Sequence, residues 1–477
     1  MLFSSIIFIA YFLPVFLAFY YATGMRTAAL LTGSVVFYVW GEGAYIGLLG
    51  ALIALNHVFA HRIARAGAQG ARRWLAAAVT IDLAVLGLFK YAGFVAETLN
   101  GIAGREWLPD PQLRLPLGIS FFTFQLISYV VDVYRRQVQP ERSPIAFATY
   151  ILMFPHLIAG PIVRYADIRD ELSREGRHLR VGLGLQYFIV GLSQKVLIAN
   201  SLAPMADHAF GLGGNLDATS AWLGILSYTL QIYFDFCGYS NMAIGLAFLL
   251  GFTFPKNFDY PYAARSISEF WRRWHMSLSF WFRDYVYIPL GGNRGTRGRV
   301  LFNLLVVFFL TGLWHGAAWN FIVWGLYHGM FLLIERMGWG RVLERLPRPL
   351  TLLYTMLVVM VGWVFFRAED LRSALVYLRH MADVSTFYTP LVETRLVMNH
   401  QFWAALVAGM VLAVPTLPAL LRRLGRPMYG RSEAIREARL DTLQVAVLPT
   451  AWLLLGLLLS LALLAGTSLN PFLYFRF

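Results

Sequence analysis

The chain has 477 residues, of which 58% are hydrophobic and only 14% charged, and its mean hydropathy of +0.58 lies far outside the range of water-soluble domains. A net charge of +14 would suggest nucleic acid in a soluble protein, but here the arginines sit mostly at the ends of apolar runs, which points to a membrane surface and not to nucleic acid. Cys237 is the single cysteine, so a disulfide framework and a thiolate metal site are both excluded and helix packing must hold the fold.

Apolar runs of spanning or near-spanning length occur at 6–21, 74–89, 181–199, 222–236 with 242–254, 301–313, 350–366 and 448–465. A helix needs about 20 mostly apolar residues to cross the hydrocarbon core, so the shorter runs must extend into aromatic and polar flanks or pair as re-entrant segments. The expected fold is an all-α integral membrane protein with roughly 10–13 membrane helices, residues 1–477 forming one membrane-embedded domain. The first run has no preceding basic residue and no small-residue cleavage pattern after it, so it reads as a retained span.

Arg26, the Arg62, Arg65, Arg72, Arg73 group and the Arg135, Arg136, Arg142 group suit the cytoplasmic side. The N-terminus then faces outward, and the mixed segment 97–114 falls outside. The late basic block from Arg422 to Arg439 also reads as cytoplasmic, so the last span carries the terminal PFLYFRF to the outer half of the membrane.

The stretch 255–299 cannot be a simple lipid-facing span, because Arg272, Arg273, His275, Arg283 and Asp284 would each be costly at bilayer depth. Burial within the protein, an aqueous cavity or an interfacial helix are the tolerable placements. Helical spacing brings Glu269 within reach of Arg272 and Arg273, and Ser266 or Ser268 suits the helix start. The GGNRG run at 291–295 is a flexible basic turn without the Walker pattern.

Of 10 histidines, His57, His61, His178, His208, His380 and His400 lie near segment ends or in polar flanks, where interfacial or solvated roles suffice. His156 suits hydrogen bonding at a helix terminus, and His328 suits a bond between helices. His315 stands apart, being an ionisable imidazole inside the long apolar stretch TGLWHGAAWNFIVWGLYHG, where function is the default hypothesis. Gly312 and Gly316 around it also fit a buried histidine at a close helix crossing. Tyr233, Asp235 and Asn241 form a polar cluster in QIYFDFCGYSNMAIG, explained equally by interhelical bonds and by substrate contact.

Five separated segments, FFTFQLISYVVDVYRR, FPHLIAGPIVRY, QIYFDFCGYSNMAIG, the FWRRWHMSLSFWFRDYVYIPLGGNR run and TGLWHG, resemble the membrane-bound O-acyltransferase family, in its alginate O-acetyltransferase type. MLFSS at the start and FLYFRF at the end extend the likeness across nearly the whole chain. The resemblance implies helices, some tilted or re-entrant, around a tunnel joining the two membrane faces. It also implies a buried catalytic histidine, matched by His315, and an upstream polar partner, matched 40 residues earlier by His275. Relatives outside this bacterial branch carry Asn or Asp there, so His275 either moves a proton or orients substrate.

The chemistry suits an acyl thioester donor: a hydroxyl is a weak nucleophile until a base takes its proton, and an imidazole is suited to that task. His315 is then the base, with backbone N–H groups or the Trp314 indole facing the oxyanion. Arg272, Arg273 and Lys256 would attract an anionic donor such as acetyl-coenzyme A, though interfacial anchoring also accounts for them; Asn241 is a further candidate contact. No metal and no resident cofactor are expected. The resemblance further implies a bacterial inner-membrane location, surrounding lipids, a periplasmic SGNH-type acetyltransferase as partner and a polysaccharide synthesis and export complex. The acceptor it favours is alginate, with cellulose, peptidoglycan and teichoic acid as alternatives, and a polysaccharide transporter or a scaffold as competing classes. Tyr474 in the terminal PFLYFRF reads either as an interfacial anchor or as an acyl relay, since a phenol with pKa near 10 forms an ester that readily passes its acetyl group on.

Overall fold

The computed structural model describes residues 2–173, 178–387, 390, 392–416, 450–466 and 473, and every regular element among them is helical. In chain order the elements used below are α1 (Ile7–Ala22), α2 (Tyr45–Arg65), α3 (Ala68–Ala103), α4 (Ile119–Tyr134), α5 (Val181–Gly211), α6 (Ala218–Leu250), α7 (Ile267–Arg273), α8 (Met276–Phe282), α9 (Arg297–His315), α10 (Trp319–Ile334), α11 (Arg348–Arg367), α12 (His400–Leu412) and α13 (Thr450–Gly466). Six of them, α2, α3, α5, α6, α9 and α11, are long and apolar enough to cross a membrane, and α1, α4, α12 and α13 are shorter apolar helices. The architecture is the expected polytopic all-α membrane fold.

The chain divides into two compact units. The first comprises Met1–Phe188 and Met242–Pro255. Its helix α3 has 36 residues, about 54 Å of helix, well beyond a hydrocarbon core of about 30 Å; Gly104, in the left-handed conformation, stops it. Asp82 in α3 faces α2, where the Asn56 amide donates to its carboxylate at 2.8 Å. Helix α2 was not among the expected spans because Asn56, His57 and His61 interrupt its apolar pattern, yet each finds a partner. His57 Nε2 donates to the Glu141 carbonyl at 3.0 Å and His61 Nδ1 to the His57 carbonyl at 2.9 Å. His156, fully buried, donates from Nε2 to the Tyr150 carbonyl at 2.7 Å.

The second unit comprises Ile189–Asn241 and Lys256–Phe477. Here α5 contains a π-helical turn, Gln194–Ala199. Where two segments were expected at 222–236 and 242–254, α6 runs as one helix of 33 residues. The small and polar residues between those segments pack against α5 without breaking the helix: a Cβ on Gly238 would lie 2.6 Å from the Gly191 carbonyl oxygen. Helices α9 and α10 touch backbone to backbone, since a Cβ on Gly312 would lie 3.2 Å from Gly325 Cα.

The start of α7 shows how the polar middle segment is held. Ser266 caps it by accepting from the Glu269 N–H at 3.0 Å, and the buried Glu335 carboxylate accepts from the Ile267 and Ser268 N–H groups at 2.6 and 2.9 Å. Three N-terminal amides are thereby satisfied, with a negative charge at the positive end of the helix.

Candidate functional site

Between α7 and α8 the chain turns through two residues, the extended Trp274 and then His275. His275 is at φ 45° and ψ 54°, a left-handed conformation uncommon for a side chain bearing a Cβ. Asn257 supports the turn from three directions. Its carbonyl accepts from the Met276 N–H at 2.9 Å, its amide oxygen accepts from the Ser277 hydroxyl at 2.9 Å, and its amide nitrogen donates to the Ser240 hydroxyl at 3.1 Å. The same amide oxygen lies 3.2 Å from His275 Nδ1. An amide oxygen only accepts, so Nδ1 carries the hydrogen and Nε2 is the basic nitrogen of the neutral ring.

His315 is the last residue of α9 and is 3% exposed. Its ring lies among the rings of Trp314 at 4.9 Å, Trp324 of α10 at 5.0 Å and Phe366 of α11 at 5.2 Å. The Trp314 ring is also 6.2 Å from the His275 ring, which meets Phe236 edge-on at 4.7 Å. Two buried histidines separated by 40 residues thus share one aromatic neighbour. His328 packs against Trp271, Trp324 and Tyr327, and among the described residues neither of its ring nitrogens has a hydrogen-bond partner, so the expected bond between helices is replaced by aromatic faces.

The basic residues singled out in the sequence separate into two kinds. Arg273 pairs with Glu269 at 2.8 Å and donates to the Asp259 carbonyl at 3.0 Å, and Lys256 pairs with Asp259 at 2.9 Å. Burial pulls the Lys256 ammonium below its ordinary value, against the opposing charge of Asp259. Both cations are built into the fold. Arg272 instead faces an open pocket of about 560 Å³ shared with Arg265 and Arg336 and lined also by Glu269 and Glu335. Among the described residues Arg272 forms no ion pair.

Asn241 donates to Gln194 at 2.8 Å, joining α6 to α5. Asp235 pairs with Lys195 of α5, and its second carboxylate oxygen accepts from the Leu473 N–H at 2.8 Å. Lys195 is not among the residues singled out above, although a lysine inside an apolar span is itself a signal. Tyr474 and the basic block 422–439 lie outside the described residues.

Residues 135–342, which include both His275 and His315, match the membrane-bound O-acyltransferase family. Over the full length of both chains, the protein is 42% identical to a probable alginate O-acetylase, AlgI, of Azotobacter vinelandii. The chain belongs to the membrane-bound O-acyltransferase family. Other relatives are a peptidoglycan O-acetyltransferase of Helicobacter pylori, 36% identical over 81% of this chain and 80% of that one, and a teichoic acid D-alanyltransferase of Bacillus subtilis, 32% identical over 54% and 71%. As a family member the chain is an O-acyltransferase and a multi-pass protein of the inner membrane. In this member the family-matched stretch runs from the loop after α4 to the helical segment after α10.

Proposed function

We propose that the protein takes an acetyl group from acetyl-coenzyme A and passes it toward a secreted polysaccharide, with alginate as the acceptor. In this reading a periplasmic SGNH-type acetyltransferase within a synthesis and export complex completes the transfer. The observation that carries it is the buried aromatic cluster in which Trp314 lies beside both His315 and His275. Full-length similarity to the alginate O-acetylase of Azotobacter supports the acceptor, and the likeness to a peptidoglycan O-acetyltransferase supports peptidoglycan as the second reading.

The acceptor hydroxyl attacks the thioester carbonyl while His315 takes its proton; the C–S bond then breaks, and the departing thiolate recovers that proton to leave as coenzyme A. His275, with Nδ1 directed at Asn257, orients the substrates through Nε2. The pocket of Arg265, Arg272 and Arg336 receives the phosphates of the donor. One wall of that pocket, Glu335, accepts a bond from Tyr354, and 12 residues further along α11 Phe366 packs on His315. That is a rise of about 18 Å along the helix, which calls for a donor with a long flexible arm.

Tyr474 serves as the first acceptor. Its phenolic oxygen attacks the thioester, coenzyme A leaves as the thiol, and the aryl acetate then gives its acetyl group to a partner serine, regenerating the phenol. The test is coenzyme A release and labelled-acetyl transfer by the purified protein in nanodiscs, with and without partner. Tyr474→Phe is expected to keep donor binding and lose polymer acetylation. Full polymer acetylation by this variant would overturn the relay, and absence of coenzyme A release by the folded wild-type protein with donor, partner and acceptor would overturn the transferase assignment to acetyl-coenzyme A.

A further inference from the structure

Lys195 and Asp235 form an ion pair at the crossing of α5 and α6, 3% and 1% exposed. Removing both charges from water is costly, and an apolar pair of similar size commonly serves stability as well. The crossing has other supports: Gly238 brings the two backbones together, and Asn241 bonds Gln194 beside it. The pair therefore calls for a reason beyond joining two helices.

The second oxygen of Asp235 supplies one. It accepts the backbone N–H of Leu473, 238 residues later in the chain, and Leu473 is 4% exposed. The neighbouring helix α13 indicates the depth of this contact. A Cβ on Gly456, near the middle of α13, would lie 2.9 Å from Ser193 Oγ, and Ser193 is two residues before Lys195. Gly466, the end of α13, lies 10 residues beyond Gly456, about 15 Å along the helix axis. Leu473 is thus tied at the level of the middle of the last span, not at its end. The seven residues from Gly466 to Leu473 reach up to about 24 Å when extended, enough for the return. Asp235 is followed by Phe236, whose ring meets His275.

We infer that the Lys195–Asp235 pair is a docking site for the chain's own C-terminal segment, with Asp235 a positioning residue that fixes the backbone one residue before Tyr474. Lys195 offsets the carboxylate charge, leaving a strong acceptor for a main-chain donor at bilayer depth. Because a backbone N–H is recognised, the site reads the path of the chain and not the side chain at 473. The purpose of this docking rests on the relay reading of Tyr474; the docking itself does not.

The experiment is hydrogen–deuterium exchange of the Leu473 amide in the full-length protein in nanodiscs, with polymer acetylation measured in parallel. Leu473→Ala keeps the donor, and Asp235→Leu with Lys195→Met replaces the pair by apolar side chains. The expected result is exchange of this amide faster by about tenfold or more in the double variant, with Leu473→Ala close to wild type. Equal exchange in wild type and the double variant would overturn the docking site, whatever happens to acetylation. Faster exchange with full polymer acetylation would leave the docking site standing and overturn the positioning role of Asp235.

Discussion

The amide oxygen of Asn257 and Nδ1 of His275 lie 3.2 Å apart, and the same oxygen accepts from the Ser277 hydroxyl and faces the Ser277 N–H. One side chain therefore stabilises the left-handed turn at His275 and selects the tautomer of its ring. Asn257→Ala is expected to lower acetyl transfer about tenfold to a hundredfold, as a small misplacement of a reacting geometry does. Asn257→Asp, which keeps the acceptor, is expected to recover most of the rate. Steady-state coenzyme A release, compared at equal folded protein, checks both; equal losses in the two variants would mean that the acceptor is not what positions His275.

The histidines themselves should differ. His315→Ala is expected to reduce transfer by about 100-fold or more, the usual loss when a general base is removed, while the protein still elutes as a folded species. His275→Ala is expected to give a smaller or acceptor-dependent defect. Normal turnover by a well-folded His315→Ala protein would remove His315 from the chemistry.

Arg272 and Arg273 are adjacent in sequence and opposite in expected behaviour. Arg272 faces the open pocket, so Arg272→Ala should raise the donor KM, with an effect that shrinks as salt is added and little change in thermal stability. Arg273 holds Glu269 and the Asp259 carbonyl, so Arg273→Ala should instead lower the unfolding temperature. Donor titrations and thermal unfolding at two salt concentrations separate them.

At the crossing of α9 and α10, a Cβ on Gly312 meets the backbone of Gly325 and of Phe321, neither of which can swing aside. Gly312→Ala is expected to cost about 1–3 kcal/mol. Gly47→Ala, where nothing lies within 4 Å of the added methyl, is the matched control. Thermal unfolding in detergent tests the pair, and equal midpoints would mean that the crossing yields.

How far the sequence reached follows from the range of the interactions. Apolar runs are local, so most spans could be read directly, as could the Ser266 cap, whose partner is three residues away. Helix α2 escaped notice because Asn56 is satisfied by Asp82 on the next helix, a compensation that no window over α2 contains. The gap between the apolar runs at 222–236 and 242–254 holds Gly238, Ser240 and Asn241, which are contact points for neighbouring elements within one continuous helix. The motifs around His315 and His275 mark both as candidates, and the fold brings both rings to Trp314. The links from Lys195 to Asp235 and from Asp235 to Leu473 join residues 40 and 238 positions apart, and nothing in local composition connects them.

The apolar window of α6 is buried along its whole length, and of the six long helices this one is the least hydropathic. In the finished protein that helix meets hardly any lipid, so the folded state sets no limit on its polarity. The limit comes from biogenesis. As it leaves the translocon, α6 must partition toward the bilayer before its neighbours enclose it, carrying Gln231, Asp235, Ser240 and Asn241. Further polar substitutions there would be felt first as failed insertion and loss of protein from the membrane, before any effect on turnover could be measured.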